Sequence, residues 1–230
     1  TSSSNIEGSF DWKEQEAQNA KRTVEKLYLQ IEECIKNRKR GSISKLFESK
    51  FNRIIKNATE KISNMKLREY NNLIIHDILN LIKDAKAQLN EKEIQSFYNL
   101  ITENWIKLIS PVCPHIAEEL WNKSGKKSLV SLESWPETDE SKINPELEQQ
   151  EKIQEKTIED IKNILNLIKE KQNRTPKTIY LYTIPKEATF YNPQYIEKKL
   201  NIQIKIFTVN DAKKYDPENK SQKAKPGKPG

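Results

Sequence analysis

From Ala20 to Ile168 the apolar residues return every three or four positions, and at Thr178 that rhythm stops. The first set is Ala20, Val24, Leu27, Ile31 and Cys34. Phe47, Phe51, Ile54, Ala58 and Ile62 follow, then Leu67, Tyr70, Ile74, Ile78, Ile82 and Ala85, then Ile94, Phe97, Ile101, Trp105 and Leu108. Steps of three and four place each set on one side of a helix, and a one-sided helix must bury that side against a neighbour. Four such stripes with short connections predict an antiparallel bundle. A long helix is expected from Pro145 to Lys171, with Ile153, Thr157, Ile161, Leu165 and Ile168 as its stripe. The period then falls to two. "TIYLYTI" (178–184) and "NIQIKIFTV" (201–209) read as strands, with "NPQYIEKKL" as a short helix between them. The expected fold class is mainly α: a helical bundle over 1–144, then a long helix plus a small α/β unit over 145–230.

Local signals punctuate this pattern. "NRKRG" ends the first helix, with Gly41 as a left-handed cap and Ser42 starting the second helix. Asn90 and Glu93 have the spacing of a reciprocal cap. Phe10 and Trp12 in "FDWKEQEA" are placed to dock on a core, and Trp135-Pro136 to close the bundle's end. The run "SPVCPHIAEELW" (110–121) gathers two prolines, a histidine, a cysteine and a tryptophan. Pro111 stops one helix and Pro114 suits the first turn of the next, where a missing N–H costs nothing. The run reads as a sharp corner between packed helices. The final twenty residues read as a basic loop or tail.

Charge narrows the function. Residues 169–230 carry 14 Lys+Arg and 6 Asp+Glu, a balance of +8, whereas the other 168 residues balance to −1. A basic excess confined to one quarter of a chain points to an anionic partner, most often nucleic acid. No apolar run approaches the roughly 20 residues that span a bilayer, so no membrane partner is expected. Cys34 and Cys113 make no disulfide framework, which fits a cytoplasmic setting. Thr1 and the closing "KPGKPG" read as the ends of a fragment of something longer.

Chemistry is sparse. Cys34, His76, Cys113 and His115 are the soft metal ligands, and Cys-Pro-His is not a zinc spacing, so no metal site is expected. His115 at a helix start could act as a base, but no nucleophile is spaced to pair with it. Neither phosphate-binding glycine signature occurs, and no catalytic residue is assigned. Lys36, Arg38, Lys39 and Arg40 cluster at a helix end, and Arg53 and Lys56 lie on the polar side of the second helix. Lys213, Lys214, Lys220, Lys223, Lys225 and Lys228 follow in the tail. Such cations hold phosphates without reading sequence. Arg38, Arg40, Arg53, Lys56, Lys177, Lys223, Lys225 and Lys228 are the expected RNA contacts. Tyr180, Tyr182, Phe190, Tyr191, Tyr195 and Tyr215 offer rings on which bases could stack, although core packing is the commoner use of such residues, above all for Tyr180 and Tyr182 in a strand.

These residues also carry a resemblance. "SPVCPHIAEELW" resembles the P-x-x-P-H-x-x-E-E-L-W segment near the end of the anticodon-binding helical bundle in class I aminoacyl-tRNA synthetases of the Leu, Ile and Val branch. The Pro-His pair is most like the leucyl enzymes. "FNRIIKNATE" is similar to the second bundle helix of that family, and "FDWKEQEA" to the segment leading into the bundle. "DPENKSQKAKPGKPG" resembles the D-P-x-x-K…A-x-P-G-x-P stretch in the C-terminal domain of archaeal and eukaryotic cytosolic leucyl-tRNA synthetases. The resemblance implies a class I anticodon-binding-type bundle with a small C-terminal domain, in which Pro111, Pro114, His115, Glu118 and Trp121 lock the last bundle helices. It implies tRNA(Leu) as partner, together with the catalytic portion of the same enzyme. ATP and magnesium belong to that portion, whose H-I-G-H-like and K-M-S-K-S-like signatures are not in this sequence, so the chain alone is expected to be inactive. The rival readings are a helical protein-interaction module built on the 145–171 helix, and the equivalent part of an isoleucyl or valyl enzyme.

Overall fold

The computed structural model describes residues 13–172 and 176–230. Phe10 and Trp12, expected to dock on the core, lie outside the described residues. The chain divides into two compact units, Thr1–Asn144 and Pro145–Gly230.

The first unit is helical: α1 (Glu14–Asn37), α2 (Lys45–Ser63), α3 (Leu67–Asn71), α4 (Ile78–Gln88), α5 (Glu91–Ile109) and α6 (Pro114–Lys123). The stripes form one core. Leu27, Ile31, Phe47, Phe51, Tyr70, Ile74, Ile78, Ile82, Phe97, Trp105 and Trp121 are all buried. Phe47 and Phe97 meet edge to face, ring centroids 5.6 Å apart, the arrangement their quadrupoles favour. Asn90 and Glu93 form the reciprocal cap of α5, with Glu93 N–H to Asn90 Oδ1 at 3.1 Å and Asn90 N–H to Glu93 Oε2 at 3.0 Å. Trp135 closes over the core, its Nε1 donating to Thr59 Oγ1 at 2.8 Å.

Three local expectations are corrected. The third helix is not continuous: α3 and α4 are joined by a π-helical turn, Asn72–Asp77. Tyr70, Ile74, Ile78 and Ile82 are spaced by three successive steps of four. That outruns a turn of about 3.6 residues, and a wider turn takes up the excess. All four side chains consequently stay in the core. Ser44, not Ser42, is the residue before α2. Gly41 caps nothing: α1 ends at Asn37 with Arg38 in extended conformation, and Gly41 does not take positive φ. Its size matters instead, since a β-carbon there would come within 2.5 Å of Ser96 Oγ on α5.

The second unit holds α7 (Pro145–Gln172), β1 (Thr178–Thr183), α8 (Pro193–Leu200) and β2 (Gln203–Thr208). Asn192 caps α8, its side chain accepting from Tyr195 N–H at 3.2 Å, and Asn201 ends it in the left-handed conformation. The strands pair in parallel, from Thr178 opposite Gln203 to Thr183 opposite Thr208. Strand alternation puts Ile179, Leu181, Ile204 and Ile206 on one face and Tyr180, Tyr182, Lys205 and Phe207 on the other. Ile161, Leu165 and Ile168 of α7 line a groove of about 600 Å³ with Ile179 and Leu181. Helix α8 packs beside α7 and β2. The tail expected to be a basic loop is folded back by specific bonds. Asp216 accepts from the N–H groups of Lys220 and Ser221 at 2.7 and 2.9 Å, and Glu187 from Gly227 N–H at 2.8 Å. Gly230 and Tyr182 exchange both backbone bonds, at 2.9 and 3.0 Å.

Candidate RNA-binding surface

The proline corner is a joint. Pro114 occupies the first turn of α6. Glu118, one turn on, accepts from the N–H groups of Val130 and Ser131 at 2.9 and 3.2 Å, tying α6 to the following turn. The bond from Val130 holds its carboxyl below the ordinary range. Trp121 is buried, its Nε1 donating to Ser128 Oγ at 3.3 Å, with the ammonium groups of Lys107 and Lys126 at 5.7 and 5.3 Å from its ring. Pro111 and His115 face solvent instead, and His115 makes no hydrogen bond or ion pair among the described residues. The expectation that His115 locks the helices is corrected: Ala117, Leu120 and Trp121 are the residues α6 buries.

The eight expected cations divide evenly between the units and differ in availability. Arg38 is half-buried. One guanidinium nitrogen reaches Glu103 Oε1 at 3.2 Å and the other the Ser124 carbonyl at 2.8 Å, so its fork bridges α5 and the end of α6. Glu103 also takes Lys126 at 2.9 Å. Lys39 N–H donates to the Gln95 carbonyl at 3.1 Å and pins the chain leaving α1 against α5. Arg40, the next residue, is exposed, without an ion-pair partner among the described residues. Arg53 is half-buried and engaged within the protein. Lys56 is exposed and pairs with Glu140 at 2.8 Å. A surface pair of that kind contributes little and exchanges readily for a phosphate.

In the second unit Lys177, Lys223, Lys225 and Lys228 are all exposed. Lys225 and Lys228 exchange backbone bonds at 2.8 and 2.9 Å across a turn that needs Gly227 at φ 70. Both ammonium stems therefore rise from one tight loop. Two further cations are exposed, Lys127 in the segment after α6 and Lys205 in β2. Lys205 was legible as the polar position in an alternating strand.

This surface can attract a polyanion; it does not assemble bond-making groups. The Cys34 thiol is pushed up to about 12 by burial and holds its proton at neutral pH. ATP and magnesium, expected for the wider enzyme, do not fit the described residues. Neither strand runs into glycine: β1 leads to Ile184-Pro185 and β2 to Val209-Asn210. No loop there presents the row of N–H groups that cradles a nucleotide phosphate. No described helix is long and apolar enough to cross a membrane.

Comparison with known proteins bears on this surface. Residues 44–181 match the family described as the anticodon-binding domain of tRNA ligase. The leucine–tRNA ligase of Staphylothermus marinus is 35% identical over 183 residues, covering 77% of this chain and 18% of that protein. That of Methanocaldococcus jannaschii is 32% identical over 178 residues, covering 75% and 18%. The chain thus spans under a fifth of the length of these relatives. The solved ternary complex of Agrobacterium radiobacter K84 agnB2 LeuRS-tRNA-LeuAMS has a TM-score of 0.49 at 18% identity, over 62% of this chain and 19% of that one, too slight a likeness to argue from. Helical architecture and sequence match together place the chain in the family of tRNA-ligase anticodon-binding domains.

Proposed function

We propose that the chain is the tRNA-handling part of a leucyl-tRNA synthetase of archaeal type. In this reading residues 1–144 form the anticodon-binding-type bundle and 145–230 a small tRNA-binding module. The chain holds tRNA(Leu) while the catalytic portion of the same enzyme, in the cytoplasm, attaches leucine using ATP and magnesium. Its contribution is position: cations fix the tRNA body so that the acceptor end reaches chemistry elsewhere. One observation carries the reading. A chain of this family, with leucine–tRNA ligases among its relatives, concentrates a +8 balance in residues 169–230. Arg40, Lys177, Lys223, Lys225 and Lys228 are the contacts most available as the structure stands. Lys56 becomes available by releasing Glu140, and Arg38 and Arg53 support the surface from within.

Titration of the chain with leucine, isoleucine and valine tRNAs at two salt concentrations tests this. Leucine tRNA is expected to bind tightest. Neutralising several phosphates should cost on the order of a thousandfold in affinity between about 50 and 200 mM salt. Equal retention of the three tRNAs would remove the leucine assignment, and binding indifferent to salt would remove the electrostatic mechanism.

A further inference from the structure

The two faces of the β1–β2 sheet are unequal. Parallel sheets are ordinarily covered on both sides. Here α7 lies against the isoleucine face, and α8 packs beside α7 and β2. The opposite face carries aromatic rings. Tyr180 and Phe207 are stacked with centroids 6.3 Å apart and planes 16° from parallel, and Tyr182 and Phe207 with centroids 6.2 Å apart and planes at 21°. Tyr215 comes from the loop after β2 and meets Tyr180 with centroids 5.0 Å apart and planes tilted by 45°. Tyr182 is buried and its hydroxyl donates to the backbone carbonyl of Tyr215, which fixes the loop over the face. Tyr180 and Phe207 are half-buried, and Tyr215 is 57% exposed, among the most open of the large hydrophobic side chains.

Lysines adjoin these rings in the strand register and along the loop. Lys205 stands directly across from Tyr180 in the strand register and is exposed. Lys213, two residues before Tyr215, is exposed, and its backbone N–H is held by Asp211 at 2.8 Å. Lys214 donates to the Val209 carbonyl, which ties the loop back to the end of β2. Of the acidic groups in this loop, Asp211 and Asp216 accept backbone N–H groups, and the exposed Glu218 pairs with Lys220 at 3.2 Å. An open ring backed by other rings, with lysines nearby and the loop's carboxylates already engaged, has the parts used to stack a base and neutralise its phosphate.

We infer that this face is a stacking platform for an unpaired nucleotide of RNA, with Tyr215 as the outer ring, Tyr180 and Phe207 as its backing, and Lys205 and Lys213 on the flanking phosphates. The inference rests on the RNA-binding reading above and adds the ligand class and the residues of one site within it. Stacking is indifferent to base identity, so the platform supplies affinity and fixes a looped-out nucleotide without reading it.

The test uses the full chain against two probes, leucine tRNA and an unstructured oligouridylate, by fluorescence anisotropy. Tyr215→Leu is expected to weaken binding to both by about 5- to 150-fold without changing the slope of affinity against salt, because a base–ring contact releases no counterion. Tyr215→Phe should keep affinity within about twofold, since the ring suffices. Lys205→Gln should weaken binding and lower the salt slope by about one. The Tyr182 bond goes to backbone, so Tyr215→Leu leaves the loop anchored, and an unchanged thermal transition verifies this. If wild type binds tRNA with a steep salt slope and Tyr215→Leu matches it on both probes, the platform is overturned and the tRNA reading stands. If wild type ignores tRNA but binds oligouridylate through Tyr215, the platform stands and the tRNA reading falls. Failure to bind either probe overturns both.

Discussion

Trp105 fills the middle of the first unit and spends its one polar atom there, Nε1 donating to the Ile74 carbonyl at 2.7 Å. Phenylalanine would keep most of the apolar volume and strand that carbonyl without its donor. Trp105→Phe is therefore expected to cost roughly 1–3 kcal/mol from the lost bond, plus a smaller packing loss, read as a lowered urea midpoint. At this scale the sequence was an uneven guide. Trp105, Phe97 and Ile101 were legible as core from spacing alone. The standing of individual cations was not. Arg38 looked like a phosphate contact because its chain neighbours are basic, yet its partners are Glu103 and Ser124, 65 and 86 residues away. Lys56 meets Glu140 across 84 residues. Charge clusters are visible in a sequence; the carboxylates that the fold brings to them are not.

The helices show what a repeat can and cannot reveal. Steps of three and four located every long helix of the bundle because apolar burial sets the phase. The π turn at Asn72–Asp77 was also written in the spacing, as three consecutive steps of four. It escaped because a stripe is ordinarily judged by whether steps are three or four, not by their running sum. Helix ends were harder, since the chain's exit from α1 depends on α5. Lys39 N–H bonds the Gln95 carbonyl, and Gly41 passes where a β-carbon would meet Ser96 Oγ. Gly41→Ala should destabilise the unit by about 1–2 kcal/mol, by forcing Ser96 to leave the Lys92 carbonyl or the chain to shift. In the Gly41→Ala/Ser96→Ala double variant the added cost of the Gly41 change should largely vanish, and a double-mutant cycle in urea measures that coupling. Additive losses would mean that the crowding lies elsewhere.

For the molecule as a whole, acid is the revealing variable. Burial pushes the Glu33 carboxyl up, but bonds from Lys86 and Tyr98 outweigh it, and the group ends below its ordinary value. Glu103 follows the same course, with Lys126 and Arg38 as its partners, and Glu118 is lowered by Val130 N–H. A carboxylate whose folded value is depressed stabilises the fold above its unfolded value of 4.5, and that contribution is lost as pH falls through the folded value. Asp77 opposes them, because burial raises its carboxyl and its protonation favours the folded form. The depressed groups outnumber it, so the urea midpoint should fall between about pH 5 and about pH 3, with the loss reduced in Glu103→Gln. The change from helix to strand at Thr178 was the most legible feature at this scale, although it falls inside the second unit, which begins at Pro145. The folding back of the tail was not, because its bonds run from Asp216 and Glu187 to backbone groups, which no side-chain pattern announces. The parallel sense of β1 and β2 has a kinetic corollary. Strands running the same way cannot zip from a tight turn. Residues 184–202 must first cross over, and their loop-closure entropy is spent before a single ladder bond forms. The aromatic face therefore exists only once two stretches separated by that crossover have met.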